Sequence, residues 1–274
     1  MKRDKLAAAI KKLPSTSGVY IFKKDKTPLY VGKATHLKSR VSAYPKSTDT
    51  RIQKMIEEAN RLSYEETESD IEALILESVY IKRWQPKFNV VMRDDKQYFL
   101  VAFTKEEYPK IYLTHQKNSN KIKKEIGELI GPFTDGTALK STLNSLRRLF
   151  PYCTCKQTHH VRCLNAHIGK CLGFCCLKNP TDAQPELYQA NIRAIKNILN
   201  GKRASVIKEL KKEMTELGIQ HRFEDAIALR GKIERIERIF HNAQIIKRQQ
   251  EHSRALVELQ KILKLASVPN RIEG

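Results

Sequence analysis

The chain has 274 residues, with 51 Lys and Arg against 30 Asp and Glu and a formal net charge of +21. This length allows two or more separately cored units, and the cationic excess calls for a polyanionic partner, nucleic acid first among them. No apolar run approaches a membrane span, and the opening MKRDKLAAAIKKLP is too charged, with too short an apolar part, for a secretory signal. The expectation is therefore a cytoplasmic protein with no membrane partner; the oligomeric state is not legible.

In chain order, the opening residues predict a short amphipathic helix stopped at Pro14. Two β-rich runs follow, GVYIF from Gly18 and PLYVG from Pro28, joined by the polar link KKDKT in the manner of a hairpin. Tyr20 and Tyr30 thus fall on adjacent strands. Just beyond come Lys33, His36, Lys38, Arg40 and Tyr44, and the spacing of Lys33, Leu37, Arg40, Val41 and Tyr44 predicts a short helix with a basic face. Residues 1–61 carry 15 Lys and Arg against 5 Asp and Glu, so this hairpin lies in the most basic part of the chain. Phenol and guanidinium groups gathered in this way suit the handling of a phosphate. A tyrosine-rich hairpin can equally be no more than a well-formed hairpin, because aromatic residues favour strands.

Residues 50–61 read as an exposed helix and LSYEET as a strand. Ser69 and Glu72 then form a capping box, opening the helix IEALILESVYIKRW, which is apolar nearly all round and so predicted to lie between layers. Glu77 sits in its middle. A buried carboxylate needs a partner: a divalent cation, an arginine or a route to solvent. The helix should end before Gln85-Pro86, and a polar turn, MRDDK, should lead into strands at YFLVAF and KIYLTH. A break at Gly131-Pro132 and an amphipathic helix, ALKSTLNSLRRLF, complete this stretch, in which no function is readable between residues 97 and 150.

Six cysteines (153, 155, 163, 171, 175 and 176) crowd into 24 residues, with His159, His160 and His167 among them. In a reducing compartment such crowding points to metal ligands rather than disulfides. Four thiolates suit zinc and an iron–sulfur cluster alike, and spacing does not separate the two. Beyond Pro185 the pattern is helical. Ile207, Leu210, Met214 and Leu217 form one apolar seam and Ala226, Leu229, Ile233, Ile236 and Phe240 another, separated by GIQH at 218–221. This predicts an antiparallel helical hairpin whose remaining apolar surface is covered by a partner or by the rest of the chain. A charged helix should continue from 241 to about 266.

Taken together, GVY…YVGKATHLKSRVSAY, SDIEALILESVYIKRWQPKFNVVMRDDKQY, GPFTDG, RRLFPYCTC and MTELGIQHRFEDAIALRGKIERI resemble the N-terminal half of the UvrC family, in the family's order. The resemblance implies an α+β fold: a small mixed GIY-YIG sheet with flanking helices, a Cys-rich metal module and an α-helical hairpin. Its implied boundaries are a nuclease domain at 1–97, a connecting segment at 98–150, the Cys-rich module at 151–185 and a helical region at 186–264 with the UVR hairpin at about 201–240. It also implies a DNA endonuclease of nucleotide excision repair that cuts 3′ to a lesion. In that reading Tyr30 is the general base, oriented with Lys33, and Glu77 is the sole protein ligand of Mg²⁺ or Mn²⁺. Arg40 stabilises the phosphate, Tyr20 and Tyr44 complete the site, and Asn89 supports it.

By the same resemblance Cys155, Cys163, Cys171 and Cys175 ligate a [4Fe–4S] cluster, with Zn²⁺ as the alternative metal and Cys153 as a possible substitute for Cys155. Leu217, Phe223, Ile227 and Arg230 contact UvrB, and damaged double-stranded DNA is the substrate. Two other classes remain: a non-catalytic adaptor that binds DNA and UvrB, and a nuclease that needs no UvrB. VPNRIEG resembles the start of the family's second half at 265–274, so the expectation is a truncated product or a shortened homologue.

Overall fold

A computed structural model of the chain describes residues 3–91, 98–115, 125–155, 161–174 and 185–241. The predicted MRDDK turn, His159, His160, Cys175, Cys176 and the charged helix expected beyond 241 lie outside the described residues. Among those described, no helix is long and apolar enough to cross a membrane.

The opening helix α1 (Arg3–Lys11) buries Leu6 and Ile10. Strands β1 (Gly18–Lys24) and β2 (Thr27–Ala34) form the predicted hairpin, and β3 (Arg61–Glu66) pairs with the far side of β1 to give the antiparallel order β2-β1-β3. Because side chains alternate across a pleated strand, Tyr20, Phe22 and Tyr30 share one face and Val19, Ile21 and Val31 the other. The tyrosine face packs on α1, on α2 (Leu37–Ser42) and on α3 (Thr50–Glu58), with Leu37, Val41 and Met55 buried against it. Met55 makes α3 half-buried rather than exposed.

The short basic helix is shorter than its spacing predicted. Lys33 remains in β2, opposite Val19, and Tyr44 opens a 3-10 turn, Tyr44–Lys46. The ladder fixes Lys33 in extended conformation. Pro45 accounts for Tyr44, since proline has no N–H to give the Val41 carbonyl and so cannot carry the α-helix on through this turn.

Helix α4 (Asp70–Trp84) starts at Ser69, whose hydroxyl accepts the Glu72 N–H at 3.1 Å, and ends at Gln85 in left-handed conformation (φ 44°), just before Pro86. As its composition predicts, it lies between layers: Ala73 and Ile81 pack on the first sheet, Leu74 and Ile75 on a second core. A short helix α5 (Lys87–Val91) follows.

The second core is built on another antiparallel sheet, β5-β4-β6, from β4 (Phe99–Thr104), β5 (Ile111–His115) and β6 (Ile126–Phe133). Strand β6 corrects the expected break at Gly131-Pro132. The strand continues past it as an irregularity in the ladder: Phe99 pairs with Phe133 and Val101 with Ile130, and Gly131-Pro132 lies between the two pairs. Gly131 takes φ +145°, and a Cβ there would press on the Phe99 carbonyl and the Leu100 side chain, so glycine is what permits this irregularity against β4.

Helix α6 (Gly136–Arg147), capped by the Asp135 carboxylate on the Ala138 N–H, covers this sheet together with α4 and α8 (Pro185–Leu199). A single turn, α7 (Leu164–His167), lies in the cysteine segment. Helices α9 (Arg203–Ile219) and α10 (223–241) form the predicted hairpin, although Gly218 and Ile219 still belong to α9 and the reversal centres on His221 (φ 59°). Its base is anchored in the second core by Val206, Ile236 and Phe240, whereas Ile219, Phe223 and Ile227 at its tip are 75%, 59% and 69% exposed.

Candidate active site

One cavity of about 750 Å³ opens where the first sheet, α4 and the β6–α6 turn meet, lined by Tyr20, Tyr30, Lys33, Arg40, Glu77, Thr134 and Asp135 among others. The hairpin delivers Tyr20 and Tyr30, and the 3-10 turn brings Tyr44 beneath them. The Tyr20 and Tyr44 hydroxyls are 2.6 Å apart, and the Tyr30 ring centroid lies 6.2 Å from that of Tyr20 and 6.3 Å from that of Tyr44. The Arg40 guanidinium sits 5.8 Å from the centroid of the Tyr44 ring. Gly32 is opposite Tyr20 in the register, and any Cβ there would collide with the Tyr20 hydroxyl and ring. The glycine is what lets the phenol lie flat across β2.

Strand β2 is the sheet's edge, so every second backbone group points away from β1. Two side chains distant in sequence take these groups. The Asn89 Oδ1 accepts the Val31 N–H at 2.8 Å while its Nδ2 donates to the Val31 carbonyl at 2.9 Å. Glu77 Oε1 accepts the next outward N–H, that of Lys33, at 2.9 Å. The edge strand thus fixes both residues against the tyrosine hairpin.

The remaining Glu77 oxygen, Oε2, accepts the Thr134 hydroxyl at 2.6 Å. The Lys33 ammonium faces Asp135 Oδ2 at 3.0 Å. Sequence reasoning missed Thr134 and Asp135, which come from the stretch where no function was legible. The one local signal was Asp135 itself, an N-cap type three residues before the helical run.

Burial governs the electrostatics. It pushes the Tyr20 phenol up against the pull of Arg40 and holds Tyr30 and Tyr44 well above the ordinary phenol value. Tyr20 in turn holds the Arg40 guanidinium more firmly protonated. Burial also raises the Asp135 carboxyl, but the Ala138 N–H and the Lys33 ammonium outweigh it and leave the group below the usual carboxylate range. At neutral pH the site therefore holds three protonated phenols, a permanent cation and an ionised Asp135.

Glu77 fits a hard divalent cation. It is 3% exposed and borders the cavity, and its oxygens accept the Lys33 N–H and the Thr134 hydroxyl, while a carboxylate oxygen can accept more than one donor. Mg²⁺ characteristically uses one or two carboxylates with waters and substrate phosphate for the rest.

In the cysteine segment, Cys153 and Cys171 are buried, and their sulfurs accept the N–H groups of Cys155 and Gly173, each at 3.4 Å. Cys155 and Cys163 are half-buried, and Cys163 stands at the N-terminal boundary of α7 with no capping bond from its side chain. Among the described residues no three His, Cys, Asp or Glu side chains gather as a metal-holding group. Of the four ligands expected there, Cys175 lies outside the described residues. At the hairpin, Leu217 is half-buried, Phe223, Ile227 and Arg230 are exposed, and Arg230 pairs with Glu234 at 3.1 Å.

Comparison with known proteins matches residues 16–90 to the family model of the UvrC-like GIY-YIG domain and residues 98–198 to that of the UvrC/Cho excinuclease middle domain. The chain is 36% identical over 249 residues to UvrABC system protein C of Clostridioides difficile, covering 86% of this chain and 40% of that protein. It is 34% identical over 253 residues to that of Methanococcus maripaludis, covering 91% and 46%. The chain thus spans about two-fifths of the length of these relatives. A crystal structure of the GIY-YIG N-terminal endonuclease domain of UvrC from Thermotoga maritima, bound to magnesium as its catalytic divalent cation, is 37% identical with a TM-score of 0.31, covering 32% of this chain and 99% of that one. With two successive UvrC domain models matched in order, the chain belongs to the UvrC family.

Proposed function

We propose that this chain is a divalent-cation-dependent DNA endonuclease of nucleotide excision repair that makes the incision 3′ to a lesion. The observation that supports it most is that the phenols of Tyr20 and Tyr30, the Arg40 guanidinium and the buried Glu77 carboxylate border one cavity with room for a phosphate, with Tyr44 joined to Tyr20 behind it. Tyr30 acts as base once its own phenolic proton has passed to solvent: the attacking water then gives its proton to the Tyr30 phenolate as its oxygen bonds to phosphorus, and the leaving ester oxygen takes up a proton from solvent as its bond to phosphorus breaks. Arg40 faces the non-bridging oxygens as charge gathers on them. Tyr20 and Tyr44 hold each other through their hydroxyls beside Arg40, while Asn89 positions β2 through Val31. A divalent cation at Glu77 supplies Lewis acidity and offsets the Glu77 charge that helps to keep Tyr30 protonated.

The same reading takes Cys155, Cys163, Cys171 and Cys175 as ligands of a [4Fe–4S] cluster, with zinc as the alternative. The visible spectrum of protein purified without oxygen separates them, since a colourless, zinc-loaded preparation removes the cluster. It takes the exposed tip of the α9–α10 hairpin as the surface that docks UvrB, and the cytoplasm as the compartment.

The decisive experiment is incision of a lesion-bearing duplex in the presence of UvrA and UvrB, with and without Mg²⁺. Tyr30→Phe and Glu77→Gln should each abolish incision and leave DNA binding intact. Cutting at the unsubstituted rate by either variant removes the assignment.

A further inference from the structure

The β6–α6 turn is unusually well fixed for a loop that faces a cavity. Phe133 before it is fully buried, and Asp135 caps α6 through the Ala138 N–H at 2.9 Å. Gly136 lies so close to Phe99 that a Cβ would run into the ring. Helix α4, which carries Glu77, packs on both β6 and α6. The turn and the carboxylate are therefore mounted on the same body, 57 residues apart in sequence.

We propose that the second sheet completes the nuclease site of the first, with Thr134 and Asp135 as positioning residues that act through Glu77 and Lys33. This rests on the endonuclease reading above. The Thr134 hydroxyl has one donor, and it is spent on Glu77 Oε2. It fixes the carboxylate plane from the side opposite the Lys33 N–H, so that a cation meets lone pairs already aimed into the cavity. Groups hydrogen-bonded to a metal-binding carboxylate commonly set its affinity. Asp135 does the corresponding work for Lys33. Its carboxylate holds the ammonium at the cavity wall, away from Glu77, where a lysine head would compete with the cation. A nuclease site confined to the hairpin and α4 would have neither contact.

The test measures Mn²⁺ binding to the DNA-free full chain by electron paramagnetic resonance, alongside incision kinetics and the thermal midpoint. Thr134→Val should weaken Mn²⁺ binding by about 10-fold, the low end of such effects, with the midpoint held, and Thr134→Ser should restore it. Thr134→Ala removes the same hydroxyl without a second branch and gives the same readout should the valine variant not fold. Asp135→Asn keeps an oxygen for the α6 cap but loses the charge. It should leave the midpoint unchanged, lower Mn²⁺ affinity several-fold as Lys33 is released, and lower kcat more than it changes KM.

If the unsubstituted chain cuts DNA while both hydroxyl-free variants bind Mn²⁺ as it does, the positioning role is overturned and the nuclease reading stands. If those variants lose Mn²⁺ and serine restores it while the unsubstituted chain fails to cut, the positioning role stands and the nuclease reading falls.

Discussion

The side chain of Asn89 grips the backbone of Val31 at two points, taking its N–H at 2.8 Å and giving a donor to its carbonyl at 2.9 Å. Asn89 is 2% exposed and Val31 is fully buried, so neither backbone group has water to fall back on. Asn89→Ala leaves both unmet, at about 1–3 kcal/mol each, and should lower the urea midpoint accordingly. Asn89→Asp sets a carboxylate against the Val31 carbonyl. It should be destabilised at neutral pH and recover part of the loss at pH about 4, where a carboxyl regains a proton. An unchanged midpoint for Asn89→Ala would show that this grip is dispensable.

The tyrosine cluster predicts how stability responds to alkali. Burial raises the phenols of Tyr20, Tyr30 and Tyr44 above the ordinary value of 10.0. The folded chain thus keeps these protons at pH values where the unfolded chain has released them. The resulting stability is fully present below pH 10 and is lost as pH rises from there toward the folded values. The urea midpoint should be flat from pH 7 to 9 and fall above 10, at up to about 1.4 kcal/mol per pH unit for each phenol. Tyr30→Phe should make the fall shallower, and a slope equal to that of the unsubstituted chain would contradict the assignment of the drop to this cluster.

Gly32 has no room for a side chain, because a Cβ would enter the volume of the Tyr20 hydroxyl. Gly32→Ala should destabilise by about 1–3 kcal/mol, the usual cost of overpacking, and near-ultraviolet circular dichroism should report a displaced tyrosine. The neighbouring Lys33→Ala, whose backbone N–H still reaches Glu77, should leave that signal in place.

The two ends of the helical hairpin should respond differently to substitution. Ile236 is fully buried in the second core, and Ile236→Ala should cost about 2–5 kcal/mol in denaturant. Phe223→Ser and Ile227→Ser, at the exposed tip, should stay within about 0.5 kcal/mol. On the proposed function they should nonetheless abolish binding to UvrB in titration calorimetry. Retained binding by the doubly substituted chain would remove the docking surface from the tip.

Much of this was legible in the sequence because it depends on local periodicity. Two β-rich runs and their polar link put Tyr20 and Tyr30 on adjacent strands, and the apolar surround of Glu77 marked it as a carboxylate needing a partner. The capping residue Ser69 and Pro86 bracketed α4. The second half of the site was hidden because its contacts are long-range. Thr134 meets Glu77 only after β6 has paired with β4, and β6 carries Gly131-Pro132, which reads as a turn. The basic helix was overextended for a related reason: helical spacing counts Lys33 and Tyr44, but strand pairing holds the first and Pro45 diverts the second. The hairpin seams gave the two helices, yet not that one end would be anchored in the second core.

The way Asn89 and Glu77 mount on β2 also bears on association. A strand with open outward-facing amides is a template on which a foreign strand can grow. Here the amides of Val31 and Lys33 are already engaged by side chains of the same molecule. The flank that carries the chemistry is therefore closed to sheet extension, and replacing Asn89 or Glu77 should leave a chain that self-associates more readily as well as one that works less well.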